Sequence, residues 1–247
     1  MTTALPVPPL AEWSVAILAG GLATRLRPLT ANVPKSLLKI AGEPFLGHQL
    51  RLLRSRGLCR VVLCVGYLGE QIQADFGSGT SYGMRIDYSF DGPELLGTGG
   101  ALKKALAKLS SPFFVLYGDS YLPINYRAVA AAFLRSRKQG LMTILRNDNR
   151  WQPSNIMFDG KEILRYDKQQ LTAEMRYIDY GLGVLRADAL SECRERAFDL
   201  SEIYNHLLQA RQLAAFVVNK RFYEIGSSSG LAQLEALLSN HGGAMNL

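Results

Sequence analysis

The stretch Ser14 to Leu37, SVAILAGGLATRLRPLTANVPKSL, decides the fold. Its opening run, Ser14 to Ala19, is apolar and β-rich, and Gly20 and Gly21 end it at once. That is a strand followed by a glycine turn, the start of a parallel βαβ unit covered on both faces. In open sheets of this kind ligands bind outside the carboxyl ends of strands, so a phosphate site belongs in the loop after this strand. Gly20 and Gly21 permit close backbone approach, their N–H groups can cradle phosphate oxygens, and Arg25 and Lys35 add positive charge. Neither GxGxxG nor GxxxxGK[ST] fits the loop, which weighs against dinucleotide-binding and P-loop readings.

Outward from this stretch, the first half of the chain alternates short β-rich runs with amphipathic helices. Arg60 to Val65, Met84 to Phe90 and Phe113 to Asp119 read as further strands. Phe45 to Arg56 places Leu46, Leu50 and Leu53 on one helical face, and Thr98 to Leu109 does the same with Leu102, Leu106 and Leu109. The expected fold is α/β: a doubly wound, mostly parallel, Rossmann-like sheet. After a helix near Asn125 to Gln139 and the strand LMTILR come shorter strands, NIMFDG, KEILRYD and MRYIDYGLGVL. Inserted into an α/β sheet, these are expected to form one wall of a substrate cleft. A helix at Ser201 to Gln209, a strand at Ala214 to Asn219 and a helix at Gly230 to Leu238 close the chain. No repeat, low-complexity tract or linker divides the 247 residues, so one α/β domain is expected.

Composition narrows the function without naming it. The 28 basic and 21 acidic side chains leave a charge of +7, which suits a polyanionic ligand. The basic residues are spread along the chain, and their densest groups (Arg51, Arg54, Arg56; Arg135, Arg137, Lys138) fall at helix ends, where they complement the helix dipole. Nucleotides and sugar phosphates therefore fit better than nucleic acid. Cys59, Cys64 and Cys193 make no CxxC pair and no metal-ligand spacing, and are read as reduced thiols of a cytoplasmic protein. The leader MTTALPVPPLAEW has no basic n-region, and no apolar run approaches the ~20 residues of a membrane span. His48, His206 and His241 share no motif and are read as packing or surface residues.

The string LAGG, two residues, TR and later PK resembles the signature of the sugar-phosphate nucleotidyltransferases, with about eight positions agreeing over seventeen. The resemblance runs from Val15 to Leu237 and implies nucleotidyl transfer from a nucleoside triphosphate to a sugar 1-phosphate. It divides the domain, 1–247, into a nucleotide-binding half (13–120) and a sugar-phosphate-binding half with closing helices (121–240). It places Leu18, Ala19, Gly20, Gly21, Thr24 and Arg25 at the nucleotide. Pro93 to Leu102, PELLGTGGAL, is similar to the family's nucleobase segment, with Gly99 and Gly100 against the base and Glu94 accepting a hydrogen bond from it. Tyr117-Gly118-Asp119 looks like the GD motif, whose aspartate binds Mg²⁺. Tyr223-Glu224-Ile225-Gly226 stands where the family has a second metal aspartate, so Glu224 is the expected second ligand.

Arg25, Lys35 and Asp119 are thereby the implied catalytic groups. Lys168, in Tyr166-Asp167-Lys168, matches the lysine that holds the sugar phosphate, with Asn155, Asp167, Asp179 and Gly181 lining the same pocket. The chain departs from the family at Ala23, where glycine is usual, at Glu224, and at Gln152-Pro153-Ser154, which replaces a YG pair. Base and sugar stay open. Guanylyl transfer to heptose 1-phosphate is the preferred pair, and uridylyl transfer to a hexose or amino-sugar 1-phosphate, or a silent nucleotide-sugar-binding relative, the alternative. The family makes a homo-oligomer unsurprising.

Overall fold

The computed structural model describes residues 7–191 and 193–240; the first six residues of the leader, and His241, lie outside them. In chain order, β1 (Ser14–Leu18) is followed by a small hairpin, β2 (Lys39–Ile40) and β3 (Glu43–Pro44), and by α1 (Phe45–Ser55). Then come β4 (Arg60–Val65), α2 (Gly69–Phe76), β5 (Arg85–Phe90), α3 (Gly97–Ala105), β6 (Phe113–Tyr117), β7 (Ser120–Tyr121) and α4 (Tyr126–Ser136). The second half runs β8 (Gly140–Arg146), β9 (Ile156–Phe158), β10 (Ile163–Tyr166), β11 (Tyr177–Leu185), α5 (Leu200–Gln209), β12 (Leu213–Val218), β13 (Tyr223–Glu224) and α6 (Ser228–Asn240).

One nine-stranded sheet organises these elements. β5, β4, β1 and β6 lie side by side and parallel. β11 runs antiparallel to both β6 and β8, and β12 pairs parallel with β8 on the far edge. β9 and β10 fold as an antiparallel pair against the start of β11. The expected mostly parallel α/β sheet with a small β insertion is therefore the architecture found.

Alternation along each strand makes the two layers. In β1, Val15 and Ile17 face a core shared with Leu46, Leu50 and Leu53 of α1 and with Val129 and Phe133 of α4. Ala16 faces the other way, toward Leu102 of α3 and Ile203 and Leu207 of α5. In β6 the same period sends Phe114 and Leu116 to the first layer and Phe113 and Val115 to the second. Each buried Leu or Phe side chain removes apolar surface worth roughly 1.5–3 kcal/mol from water, so the alternation fixes the register.

Element boundaries differ from expectation where the chain turns into the cleft. β6 stops at Tyr117 rather than Asp119, because the Gly118 N–H already donates to the Leu18 carbonyl (3.0 Å) across the strand ends. α3 begins at Gly97 and ends at Ala105, then tightens into a 3₁₀ turn over Leu106–Lys108. α5 begins at Leu200 because Asp199 caps it, accepting the Ser201 N–H (2.8 Å) while its own N–H donates to Glu202 (3.0 Å). α2 carries only Ile72 and Phe76 as large buried apolar residues, too sparse a stripe to announce a helix.

Candidate active site

The parallel strands end together beneath one cavity. The Ala19 N–H donates to the Cys64 carbonyl (2.8 Å), and Gly118 joins Leu18 as above, so the ends of β1, β4 and β6 are tied into one rim. A side chain at Gly118 would stand 2.5 Å from the Leu18 carbonyl oxygen; only glycine allows that closeness. The cavity above the rim has a volume of about 240 Å³. Leu18, Ala19, Gly20, Gly21, Lys35 and Asp119 line it, as the sequence implies. Ser36, Cys64, Asp91, Leu95, Gly97, Thr98, Ala101, Tyr117 and Gly118 complete it, and motif reading did not single these out as its walls. Gly21 has nothing within 4 Å of where its side chain would be, so the chain is open on that side. Burial pushes the Cys64 thiol up to about 12, with the Asp91 carboxylate adding to the effect, and leaves it unreactive.

Beside this cavity runs a second groove, about 360 Å³, lined by Leu22, Ala23, Thr24, Arg25, Leu26, Lys35, Leu95 and Gly226. Lys35 joins the two spaces. Its Nζ donates to Asp119 Oδ2 at 2.7 Å, and both side chains keep about a quarter of their surface exposed. The short β7–β13 pair sets Ser120 opposite Glu224, and the Ile225 N–H donates to the Asp119 carbonyl (3.0 Å). Asp119 and Glu224 thus arrive on neighbouring strand ends. Both point at Gly226: a Cβ there would lie 2.7 Å from Glu224 Oε2, 3.6 Å from Asp119 Oδ2 and 3.7 Å from Arg25 Nη2. Glu224 also accepts the Gly226 N–H and the Ser227 hydroxyl (2.6 Å), which ties it to the start of α6.

On the other side of Tyr117 lies a polar cluster. The β11–β8 register shifts between Asp179, still paired with Ile144, and Gly183, with Gly181 at φ +93° inside the irregular stretch. Asp179 accepts the Tyr166 hydroxyl (3.0 Å), the Tyr117 hydroxyl (3.3 Å) and the Gly181 N–H (3.0 Å). Burial raises its carboxyl above the usual range, opposed by Lys168 and these three donors. Burial and the Asp179 charge hold the Tyr117 hydroxyl protonated, as a donor must be. Lys168 completes the group: its Nζ donates to the Tyr117 hydroxyl (3.3 Å), lies 3.5 Å from Asp199 Oδ1, and sits 5.3 Å from the centre of the Tyr117 ring. Asn155 supports the cluster from behind, its Oδ1 accepting the Asp179 N–H (3.0 Å). Asp167 shapes the turn that presents Lys168, accepting the N–H groups of Gln169 (2.9 Å) and Gln170 (2.8 Å). Those bonds and Arg165 hold its carboxyl below the ordinary value.

Three residues implied for the nucleobase stand elsewhere. Glu94 is exposed and pairs with Arg196 at 3.8 Å, outside the cavity lining, while its neighbour Leu95 reaches in. Gly99 and Gly100 open α3 against the 196–199 segment: a Cβ on Gly99 would strike the Phe198 ring at 2.3 Å, and one on Gly100 the Arg196 carbonyl at 2.3 Å. Their lack of side chains serves helix packing, and Gly97 and Thr98 line the cavity instead. His48 bonds the Ile40 carbonyl (2.8 Å) and His206 lies exposed on α5, away from the site. Among the described residues no group of three or more His, Cys, Asp or Glu converges as a protein-only metal cage.

A mostly parallel α/β sheet with a glycine-lined cavity at its strand ends, flanked by paired cation and carboxylate, has its cavity where open α/β sheets bind ligands. The chain belongs to the nucleotidyl transferase family, whose model matches residues 14–154. It is 40% identical over 113 residues to N-acetylmuramate alpha-1-phosphate uridylyltransferase of Neisseria meningitidis, covering 45% of this chain and 49% of that protein. It is 28% identical over 217 residues to the mannose-1-phosphate guanylyltransferase catalytic subunit beta of Drosophila melanogaster, covering 85% and 58%. The chain thus spans about half to three-fifths of the length of these curated relatives. The fold is shared with HddC from Yersinia pseudotuberculosis, crystallised with GMP-PN (TM-score 0.75, 24% identity, 92% of this chain and 99% of that one). It is also shared with a putative glucose-1-phosphate thymidylyltransferase from Bacillus anthracis (TM-score 0.81, 19% identity, 95% and 96%).

Proposed function

We propose that this chain transfers a nucleotidyl group from a nucleoside triphosphate to a sugar 1-phosphate, releasing pyrophosphate. The observation that carries the reading is the place of Tyr117. One residue forms a wall of the strand-end cavity and also the platform of Lys168, so a nucleotide site and a cationic acceptor site share a boundary. A sugar phosphate held by Lys168 would present an oxygen toward the α-phosphorus of a triphosphate lying along Gly20, Gly21 and Arg25.

In this reaction an acceptor phosphate oxygen forms a bond to the α-phosphorus, and the bond from that phosphorus to the bridging oxygen of pyrophosphate breaks. The nucleophile is already anionic, so no base is required; alignment and charge neutralisation are the protein's task. Lys35 neutralises the α-phosphate region, Arg25 the departing pyrophosphate, and the N–H groups of Gly20 and Gly21 donate to phosphate oxygens. Lys168 holds the acceptor, a compact ammonium suiting a phosphate dianion. Asp179, with Tyr117 and Tyr166, orients it from below.

Asp119 and Glu224 supply two hard oxygen donors that converge where Gly226 has no side chain, and their chemistry fits Mg²⁺, which is commonly held by one or two carboxylates plus substrate phosphates. When bound there, the ion would supply positive charge to offset that of the phosphates. Three free cysteines suit a reducing cytoplasm. The base and sugar preferred from sequence, GTP and heptose 1-phosphate, belong to the same proposal, with UTP and a hexose or amino-sugar 1-phosphate as the competing pair.

The test is pyrophosphate release with Mg²⁺, five nucleoside triphosphates and a panel of sugar 1-phosphates. Turnover with at least one pair, abolished in Asp119→Asn and strongly reduced in Lys168→Ala, is the expected result. Turnover undiminished in both variants would remove the assignment, and triphosphate binding with no release across the panel would make the chain a silent relative.

A further inference from the structure

Asp199 does more than start α5. A helix cap needs one side-chain oxygen, and Oδ1 fills that role by accepting the Ser201 N–H (2.8 Å). The second oxygen, Oδ2, accepts the Thr98 hydroxyl (2.9 Å), and Thr98 Oγ1 in turn accepts the Leu200 N–H (2.8 Å). Asparagine or serine would cap the helix as well as aspartate does, so capping leaves the charge unexplained. That charge faces Lys168, whose Nζ lies 3.5 Å from Oδ1.

The carboxylate is tied to the nucleotide side of the cleft. The Phe198 N–H donates to the Leu96 carbonyl (3.0 Å) and the Gly99 N–H to the Phe198 carbonyl (2.9 Å), which laces residues 198–199 to the start of α3. That helix end carries Gly97 and Thr98, both in the cavity wall. Lys168 belongs to the other side: it follows β10, and its ammonium lies 5.3 Å from the centre of the Tyr117 ring. At Asp199 a cation of the acceptor side is held against the frame of the nucleotide cavity.

We infer, resting on the nucleotidyl-transfer reading, that Asp199 is a positioning residue: its carboxylate fixes the Lys168 ammonium beside the wall of the nucleotide cavity and so sets where the acceptor phosphate stands. A lysine is a point charge on a flexible stem and imposes no geometry of its own on a phosphate. The acceptor's place is then set by whatever holds the ammonium. Lys168 donates to the Tyr117 hydroxyl on one side (3.3 Å) and faces Asp199 on the other, which leaves a third N–H for the acceptor. With side chains 37% and 49% exposed, the ion pair adds little to stability. It acts on alignment, to which transfer rates respond steeply. Asp199 also carries the same sign of charge as the acceptor phosphate, so it opposes binding while favouring alignment.

The experiment is steady-state pyrophosphate release by the whole chain at varied acceptor, using the substrate pair the wild type turns over best. Asp199→Asn and Asp199→Ser are each made alone and together with Lys168→Ala, and a non-hydrolysable triphosphate analogue is titrated calorimetrically into each. Both substitutions keep a helix cap, so the thermal transition should move little; should one variant not fold, the other decides. The kcat should fall about tenfold, the acceptor KM should hold or drop, and the nucleotide Kd should not change. In the Lys168→Ala background the same substitutions should alter kcat by less than about twofold, because the group they position is gone. A purely structural role would act equally in both backgrounds. Wild-type kcat in a folded variant overturns the inference, as does an equal loss with and without Lys168, or a raised KM at constant kcat. If no pair releases pyrophosphate, the nucleotidyl-transfer reading itself fails and the inference falls with it, an outcome the wild type alone decides.

Discussion

The two sides of the cleft are built from opposite materials. Around the nucleotide cavity the decisive features are missing side chains: Gly118 brings its N–H to 3.0 Å from the Leu18 carbonyl, Gly20 and Gly66 let the ends of β1 and β4 pack together, and Gly21 leaves open space where a side chain would be. Around Lys168 the decisive features are side chains that hold one another, in a chain from Lys168 to Tyr117 to Asp179, joined by Tyr166 and Asn155. A backbone cradle offers the same N–H groups to any triphosphate. A side-chain network fixes the acceptor's position and makes each member depend on its neighbours.

The sharpest way to break that contrast is at the point where the two sides meet. Lys35→Ala removes the cation 2.7 Å from Asp119 and leaves that carboxylate facing the phosphates unpaired. Turnover should fall by roughly 10²–10³-fold, the usual effect of losing one preorganised electrostatic contact, with a smaller change in nucleotide KM. Pyrophosphate release measured at saturating acceptor checks it; a loss confined to KM would mean that Lys35 binds nucleotide without assisting transfer.

Lys168→Ala should act on one side only. Losing hydrogen bonds to a charged phosphate reduces kcat/KM for the sugar phosphate by about ten- to hundredfold and leaves the nucleotide Kd near wild type. If nucleotide affinity falls equally, the network supports both substrates and the contrast between the two sides dissolves. Asp179→Asn offers a finer probe. It keeps an acceptor for one tyrosine yet loses the charge facing Lys168, so its effect should fall on the same parameter and be smaller.

Those differences in material also govern what the sequence could reveal. Strand and helix positions follow from local period, which is why β4 coincides with its expected bounds and β1 ends one residue early. The glycine cradle is contiguous in sequence, and Leu18 to Gly21 and Asp119 all reach the cavity. Tyr117 escaped as a shared wall because its role depends on burial and on Lys168 and Asp179, 51 and 62 residues away. Gly99 and Gly100 pack on Phe198 and Arg196, and in a sequence a glycine needed for packing reads like one needed for a ligand. Glu94, beside Leu95 in a loop, could be assigned a face only once the loop was seen.

A smaller effect tests Glu224, whose extra methylene relative to aspartate lets it reach the Ser227 hydroxyl as well as the Gly226 N–H. Glu224→Gln retains an acceptor for that turn, so the thermal transition should move little. Its half-charge toward Gly226 is lost, and the Mg²⁺ concentration giving half-maximal release should rise about tenfold, the low end for groups around a metal site. An unchanged Mg²⁺ midpoint would leave Glu224 as the cap of α6 and Asp119 as the ligand among the described residues.

The smallest effect is expected inside the glycine cradle itself, at the residue that contradicts its design. Ala23 has φ +49° and ψ 36°, a left-handed conformation that glycine adopts freely and alanine does not. The conformation is enforced by the Thr30 hydroxyl, which donates to the Ala23 carbonyl (2.8 Å), and by the Leu26 N–H, which donates to the same oxygen (3.1 Å). Ala23→Gly removes the steric cost but gives the unfolded chain more freedom to lose, and the two oppose each other. Where φ is positive the strain is the larger, so the variant should be more stable by about 0.5–1 kcal/mol, a rise of roughly 1–4 °C in Tm for a chain of this size. Triphosphate affinity should stay within about twofold, because the hydrogen bonds that set the loop remain. A fall in Tm would mean that the methyl packs in the groove beside Arg25 strongly enough to outweigh the strain, and that this half of the cleft, too, relies on a side chain.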